Sequence, residues 1–301
     1  MNIKQFRYVM VLAEIGNFGK AADALNISQP SLSQYIKNIE SQIGIALFDR
    51  SGGSVRLTDA GRVYIEAGKK ILDLEHQMYS EFADLTEHRK GTVVIGTSPY
   101  RSASMMPIVA KEFHQRYPNM QLIVEEMTTD ALYDAAEHGE FDFCITMLPI
   151  DQRLFYYEKI AEEELILAVP ASFSSIPSEI IADRKYPAIN ASFIDQQPFI
   201  MITDNQVMQK ALVNLCLDYD LNLQKTVVVK SLEAQIAMVR NGVGMALVPS
   251  GIERFCSADE VVFYSFKQNL PKREVVAIWR KDKKFNRATQ DLLDIMKNIK
   301  W

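Results

Sequence analysis

Apolar residues at the start of the chain recur with helical spacing. Ile3, Phe6, Val9, Met10 and Ala13 make one face, and Gly16 stops the helix. Asn17 suits an N-cap, after which Phe18, Ala21, Ala22 and Leu25 fall at i, i+3, i+4 and i+7 and predict a second, short helix. Ser28 caps a third, in which Pro30 occupies the first turn, where its missing N–H is not needed. Leu32, Ile36, Ile39 and Ile43 line its inner side, while Pro30, Gln34, Lys37, Asn38 and Ser41, flanked by Ser31 and Ser33, face outward. Two short runs, 47–50 and 55–57, flank Ser51-Gly52-Gly53-Ser54 and predict a hairpin. From Thr58 to about His88, Val63, Ala67, Ile71, Leu74, Met78, Phe82 and Leu85 recur in steps of three and four. At 1.5 Å per residue, roughly 30 residues make a helix of about 45 Å, too long for the three-helix head to cover. Its stripe predicts pairing with a second copy.

Beyond Arg89-Lys90-Gly91 the pattern changes. Short apolar runs (93–96, 122–125, 143–146, 165–169, 199–202, 227–229, 245–248, 261–264 and 275–279) alternate with helical stretches (105–117, 132–138, 208–217, 232–241 and 287–299). This alternation predicts an α/β body with largely parallel sheets and room for two lobes. Ligands of open α/β sheets bind beyond the carboxyl ends of strands. Here those ends, 97–102, 127–129, 147–149 and 202–204, are rich in hydroxyls and carry Tyr100 and Arg101. Helix N-termini and an arginine suit a small anion, so a small carboxylate is the preferred ligand class.

Composition adds limits. With 48% hydrophobic and 24% charged residues among 301, the chain is an ordinary globular protein of two or three domains. Cys144, Cys216 and Cys256 lie far apart without CxxC spacing, which fits a reducing compartment and offers no metal knot. The early run is interrupted by Glu14 and no stretch approaches a membrane span, so the expected location is the cytoplasm, with no membrane partner. Residues 1–62 hold seven Lys/Arg against five acids, a balance of +2; the remainder carries −7 of the net −5. A mildly basic head on an acidic body is compatible with nucleic-acid contact.

An enzyme needs a constellation. His76, His88, His114 and His138 form no HExxH, and neither GxSxG nor a P-loop occurs. Cys144 sits within an apolar run, where a buried thiol explains it. The expectation is a non-enzyme without cofactor or metal. By contrast, the outer face of the third helix has the side chains to read a major groove: Gln34 and the serines can bond base edges or phosphates, and Lys37 can neutralise a phosphate. Arg50 and Arg56 on the hairpin can reach a flanking minor groove or phosphates. The alternative is a cytoplasmic small-molecule binding protein whose front end only oligomerises.

The spacing of Ala21-Ala22, Leu25, Ser28-Gln29-Pro30-Ser31-Leu32-Ser33, Ile36, Ile39-Glu40, Gly44, Leu47-Phe48, Arg50, Leu57-Thr58 and Ala60-Gly61 resembles the winged helix-turn-helix of LysR-type transcriptional regulators. Ile39 stands where the family most often has leucine, and the tip 51–54 is less basic than usual. In the body, Val94-Ile95-Gly96, Pro107, Phe113, Tyr117-Pro118, Phe141-Asp142, Gly242-Val243-Gly244 and Leu247-Val248-Pro249 resemble the family's effector domain, itself similar to periplasmic binding proteins. The resemblance implies an α/β protein with an all-α winged-helix head (1–58), a dimerisation helix (59–90) and an effector domain (91–301). Its lobes would be about 91–163 with 266–301, and about 164–265. It implies DNA contact by Ser28, Gln29, Pro30, Ser31, Ser33, Gln34, Lys37 and Arg50. It places the effector against Ser98, Pro99, Tyr100, Arg101, Ser102, Thr128, Thr129, Met147, Ile202 and Thr203. The partners it implies are double-stranded DNA, a small-molecule effector, further copies as a homodimer or homotetramer, and RNA polymerase.

Overall fold

A computed structural model describes residues 3–50, 55–84, 91–173, 176–182, 184–203, 207–299 and 301. The head is built from α1 (Ile3–Ile15), α2 (Phe18–Ala24), α3 (Gln29–Ile43), β1 (Phe48–Asp49) and β2 (Arg56–Leu57), followed by α4 (Asp59–Asp84). Its core is Phe6, Val9, Leu12, Ala21, Ala22, Leu32, Ile36, Ile39, Leu47, Phe48 and Tyr64. The caps form where the sequence places them: Asn17 Oδ1 accepts from Lys20 N at 3.1 Å, and Ser28 Oγ accepts from Ser31 N at 3.3 Å. Gly44 ends α3 in the left-handed region at φ 81°, where a side chain would be strained. Ile43, expected on the inner stripe, is instead exposed, because it lies in the last turn beside that cap. β1 and β2 pair antiparallel, Phe48 opposite Leu57, and their connecting tip 51–54 lies outside the described residues.

The rest of the chain runs β3 (Gly91–Thr97), α5 (Pro99–Arg116), β4 (Met120–Glu126), α6 (Thr129–Glu137), β5 (Phe143–Met147), β6 (Phe155–Glu163), β7 (Leu165–Pro170), β8 (Ala188–Ile189), β9 (Pro198–Ile202), α7 (Val207–Asp218), β10 (Gln224–Val229), α8 (Leu232–Arg240), β11 (Ala246–Pro249), β12 (Val261–Phe266), β13 (Arg273–Arg280) and α9 (Arg287–Asn298). One sheet has the order β4-β3-β5-β13-β6, another β11-β7-β12-β8, and β10 pairs with β9. Parallel pairing holds for β3 with β5, β9 with β10, and β8 with β12. β7 is antiparallel to both β11 and β12, so the expectation of largely parallel sheets is corrected here to a mixed sheet. β6 is the strand the sequence hides: FYYEKIAEE carries too few apolar residues to stand out as a buried run.

Two compact units emerge, Met1–Gly96 with Tyr117–Cys144 and Trp279–Gln290, and Thr97–Arg116 with Ile145–Ile278 and Asp291–Trp301. In the first, the polar side of α4 is seated by charge. The Asp73 carboxylate, 3% exposed, accepts from Lys283 Nζ at 2.8 Å and lies 3.4 Å from Arg280 Nη1, while Lys69 Nζ pairs with Glu140 at 2.7 Å. The second unit holds a large apolar core around β7, β9 and β11 (Ile166, Leu167, Phe199, Ile200, Leu247 and Val248), which packs α8 through Ile236 and Val239.

Candidate functional site

On the head, the burial of Leu32, Ile36 and Ile39 fixes which side of α3 meets solvent. Gln29, Pro30, Ser31, Gln34 and Lys37 are exposed, as is Ser28 just before the helix, and Ser33 is half-buried. Ser28 is committed to the helix start: it caps Ser31 N, and the two hydroxyls lie 2.7 Å apart. Gln34 Nε2 donates to Asn38 Oδ1 at 2.8 Å. Tyr8 packs on Tyr35 with ring centroids 4.8 Å apart, holding α3 against α1.

Arg50 has a role that spacing could not reveal. Its Nη2 donates to Glu40 Oε2 at 2.9 Å and its guanidinium lies 5.0 Å from the centre of the Phe18 ring. The other Glu40 oxygen accepts from Leu47 N and Phe48 N at 2.9 and 3.1 Å. One carboxylate thus ties α3 to the first strand of the wing, and Arg50 neutralises it. The Arg50 side chain is still 42% exposed, so the guanidinium expected to reach the groove is one already bonded to Glu40. Phe18, expected as plain core, is half-buried beneath that guanidinium. Arg56, on β2, is exposed.

In the body, α5 begins at Pro99, six residues before the apolar pattern suggested, because Ser98 and Pro99 start the helix ahead of its first buried methionine, Met105. Tyr100 and Arg101 therefore lie in its first turn, and both are buried. Arg101 Nη2 donates to Glu163 Oε2 at 3.1 Å, Arg273 Nη2 donates to the same oxygen at 2.7 Å, and the Tyr100 hydroxyl donates to Oε1 at 3.1 Å. The arginine expected to meet a carboxylate ligand is thus buried and paired with a carboxylate of its own chain. Burial alone would raise the Glu163 carboxyl, but the two guanidiniums outweigh it and keep the group below the ordinary carboxylate range. Burial lowers Arg273 and raises Tyr100, the nearby carboxylate adding to the tyrosine's shift. A cavity of about 50 Å³ is lined here by Tyr100, Arg101, Ser104, Glu163 and Arg254, among others.

Ser98 Oγ accepts from Arg101 N at 3.4 Å; Ser98 and Ser102 are half-buried and Pro99 is exposed. Met147 and Thr203 are half-buried and Ile202 is buried, all in the second unit. Thr128 and Thr129 are exposed at the start of α6, in the first unit, and the Thr128 side chain makes no capping bond. Asp204, at one expected strand end, lies outside the described residues. Thr97 was missed as a single candidate: its hydroxyl is buried at the end of β3 without a hydrogen-bond partner among the described residues.

Burial pushes the Cys144 thiol up to about 12, the state of an inert buried thiol. Among the described residues no group of His, Cys, Asp or Glu could hold a metal ion, and no helix is long and apolar enough to cross a membrane.

These elements define a class: a winged helix-turn-helix head and a long helix joined to an α/β ligand-binding body. Residues 3–62 match the family model "Bacterial regulatory helix-turn-helix protein, lysR family" and residues 86–299 match "LysR substrate binding domain". The chain belongs to the LysR family of transcriptional regulators, with a DNA-binding helix-turn-helix and an effector-binding domain. It is 27% identical to the HTH-type transcriptional regulator YcgK of Bacillus subtilis, over 98% of this chain and 94% of that one. It is 28% identical to a probable RuBisCO transcriptional regulator of Trichormus variabilis, over 82% of this chain and 72% of that one. Among solved structures, the fold is similar to CbnR, a LysR family transcriptional regulator (TM-score 0.73, 18% identity, 99% of this chain and 98% of that one). It is also similar to full-length OxyR from Pseudomonas aeruginosa (TM-score 0.71, 23% identity, 99% and 95%).

Proposed function

We propose that this regulator works in the cytoplasm as a two-fold assembly that lays α3 of each head in the major groove. The observation that carries the reading is the face of α3: three apolar residues turned inward, and Pro30, Ser31, Gln34 and Lys37 presented outward on a capped, rigid helix. Gln29, Pro30, Ser31, Ser33 and Gln34 approach base edges, Lys37 and the backbone at Ser28 approach phosphates, and Arg50 braces the wing.

Val63, Ile71, Leu74, Met78 and Phe82 on α4 are all exposed in a single chain, between 39% and 66%, as a helix awaiting its partner requires. A second exposed apolar set, Val213 and Leu217 on α7, Tyr219 just beyond it and Val228 on β10, supports contact between bodies and hence a tetramer. The effector is taken up in the second unit, at the start of α5 and the carboxyl ends of β5 and β9, by Ser98, Pro99, Ser102, Met147, Ile202 and Thr203. Tyr100 and Arg101 support that site from their bonds to Glu163. Because Arg101 is already paired, a carboxylate effector is held there by hydroxyls and helix-start N–H groups. Effector binding changes the spacing of the heads, through a coupling of the order of 1 to 3 kcal/mol, and so alters how RNA polymerase is recruited. The role is regulatory, not catalytic.

The test is a footprint of the full-length protein on DNA upstream of its own gene and the neighbouring one, with and without a metabolite pool, across a salt series. Protection of a two-fold site that shortens or shifts with one metabolite fraction is expected. Absence of salt-sensitive, site-specific protection in both conditions would overturn the reading in favour of a small-molecule binding protein.

A further inference from the structure

Gln34 and Asn38 stand one helical turn apart on the exposed face of α3 and hold one another through the 2.8 Å bond from Gln34 Nε2 to Asn38 Oδ1. Around them, apart from Gln29 in the first turn, the face is short or otherwise engaged. Pro30, Ser31 and Ser41 have little reach, and Lys37 is a point charge suited to phosphate. Glu40, the helix's sole acid, is occupied by the backbone of Leu47 and Phe48 and by Arg50.

We propose that Asn38 is a positioning residue that fixes the Gln34 carboxamide so that Gln34 reads adenine. The proposal rests on α3 being the DNA-reading helix and names what it reads there. A glutamine carboxamide has two donors on nitrogen and an acceptor oxygen, and left alone it can turn either way. With one N–H given to Asn38, Gln34 keeps its oxygen and one N–H for the groove. Adenine offers the complement, an N6 amino donor beside an N7 acceptor, whereas guanine offers two acceptors at that edge. A glutamine donating to an acceptor four residues onward is also the arrangement that stabilises helices. Holding the side chain before DNA arrives removes part of the rotamer entropy that a free glutamine would lose on binding.

The experiment is selection of a random duplex library by the full-length protein, followed by sequencing, for wild type and for Gln34→Ala, Asn38→Leu and Asn38→Asp. Circular dichroism confirms that each variant folds, which the exposure of both residues favours. Wild type is expected to enrich adenine at one position of each half-site by about 5- to 100-fold over the next base, the range of one bidentate contact. Gln34→Ala removes the preference at that position alone. Asn38→Leu cuts it to within about threefold and leaves the other positions unchanged. Asn38→Asp retains an acceptor for Gln34, so it keeps the adenine preference while its negative charge weakens binding to all sequences. A merely structural role for Asn38 would not produce that separation of preference from affinity. An undiminished adenine preference in Asn38→Leu, or a Gln34-dependent preference for guanine in wild type, overturns the proposal. If wild type enriches no motif at all, the DNA-reading role of α3 falls first and the proposal falls with it.

Discussion

Glu163 shows how much a single side chain can decide. Two arginines whose side chains are 5% and 6% exposed share its carboxylate, so removing that charge leaves two buried cations facing each other. Breaking a buried charge cluster from one side costs about 3 to 5 kcal/mol, more than the intact cluster is worth, because desolvation is then uncompensated. Glu163→Gln is therefore expected to lower unfolding free energy at pH 7 by about that amount in urea titrations followed by tryptophan fluorescence. The pH dependence has a definite sign. The folded carboxyl titrates below its unfolded value, so its contribution is complete above the unfolded value of about 4.3 and disappears as pH falls through the folded one. The gap between wild type and variant should narrow as the pH is lowered below about 4; a gap that stays constant would mean the carboxylate is not what the arginines rely on.

At the scale of elements, the head is where the sequence was most informative. Its helices are short, their caps are Asn17, Ser28 and Gly44, and each cap acts within three or four residues of itself, so local spacing suffices. The body was legible in its strands but not in its pairings, since whether β7 lies parallel or antiparallel to β11 depends on residues some 80 positions apart. The same holds for the partners of Arg50 and Arg101: Glu40 and Glu163 lie 10 and 62 residues away, and nothing periodic announces a distant carboxylate. Gly61 tests the head as an assembled element. A Cβ there would drive into the backbone carbonyl of Leu47 and the Leu57 side chain, and the carbonyl cannot move aside as a flexible side chain can. Gly61→Ala should gain helix propensity in α4 and still destabilise the head, by about 1 to 3 kcal/mol of overpacking, seen as a lower thermal midpoint of the head. A rise in that midpoint would show that α4 does not approach the wing as closely as described.

For the whole molecule, the question is what the apolar stripe of α4 is for. A monomeric protein gains nothing by exposing Val63 and Leu74 at 66% each along one helix, whereas a paired helix buries both. Leu74→Glu changes an exposed side chain, so within one chain it should move stability by no more than about 0.5 kcal/mol. Buried against a second copy, the same glutamate would put unpaired charge into a hydrophobic seam. The variant is therefore expected to lose the α4 pairing and elute at half the mass of the wild-type assembly, while keeping the wild-type circular dichroism spectrum. On a two-fold site it should lose about 100-fold or more in affinity, because the second head no longer binds at the effective concentration that pairing provides. Its salt dependence carries the discriminating information. A single head contacts fewer phosphates than two, so the slope of log affinity against log salt should fall to about half, whereas Lys37→Ala in an intact dimer should lower it by only about 1 for each head. An unchanged assembly mass for Leu74→Glu with an unchanged slope would place the head-pairing surface elsewhere, and the exposed α7 and β10 residues would be the next to substitute.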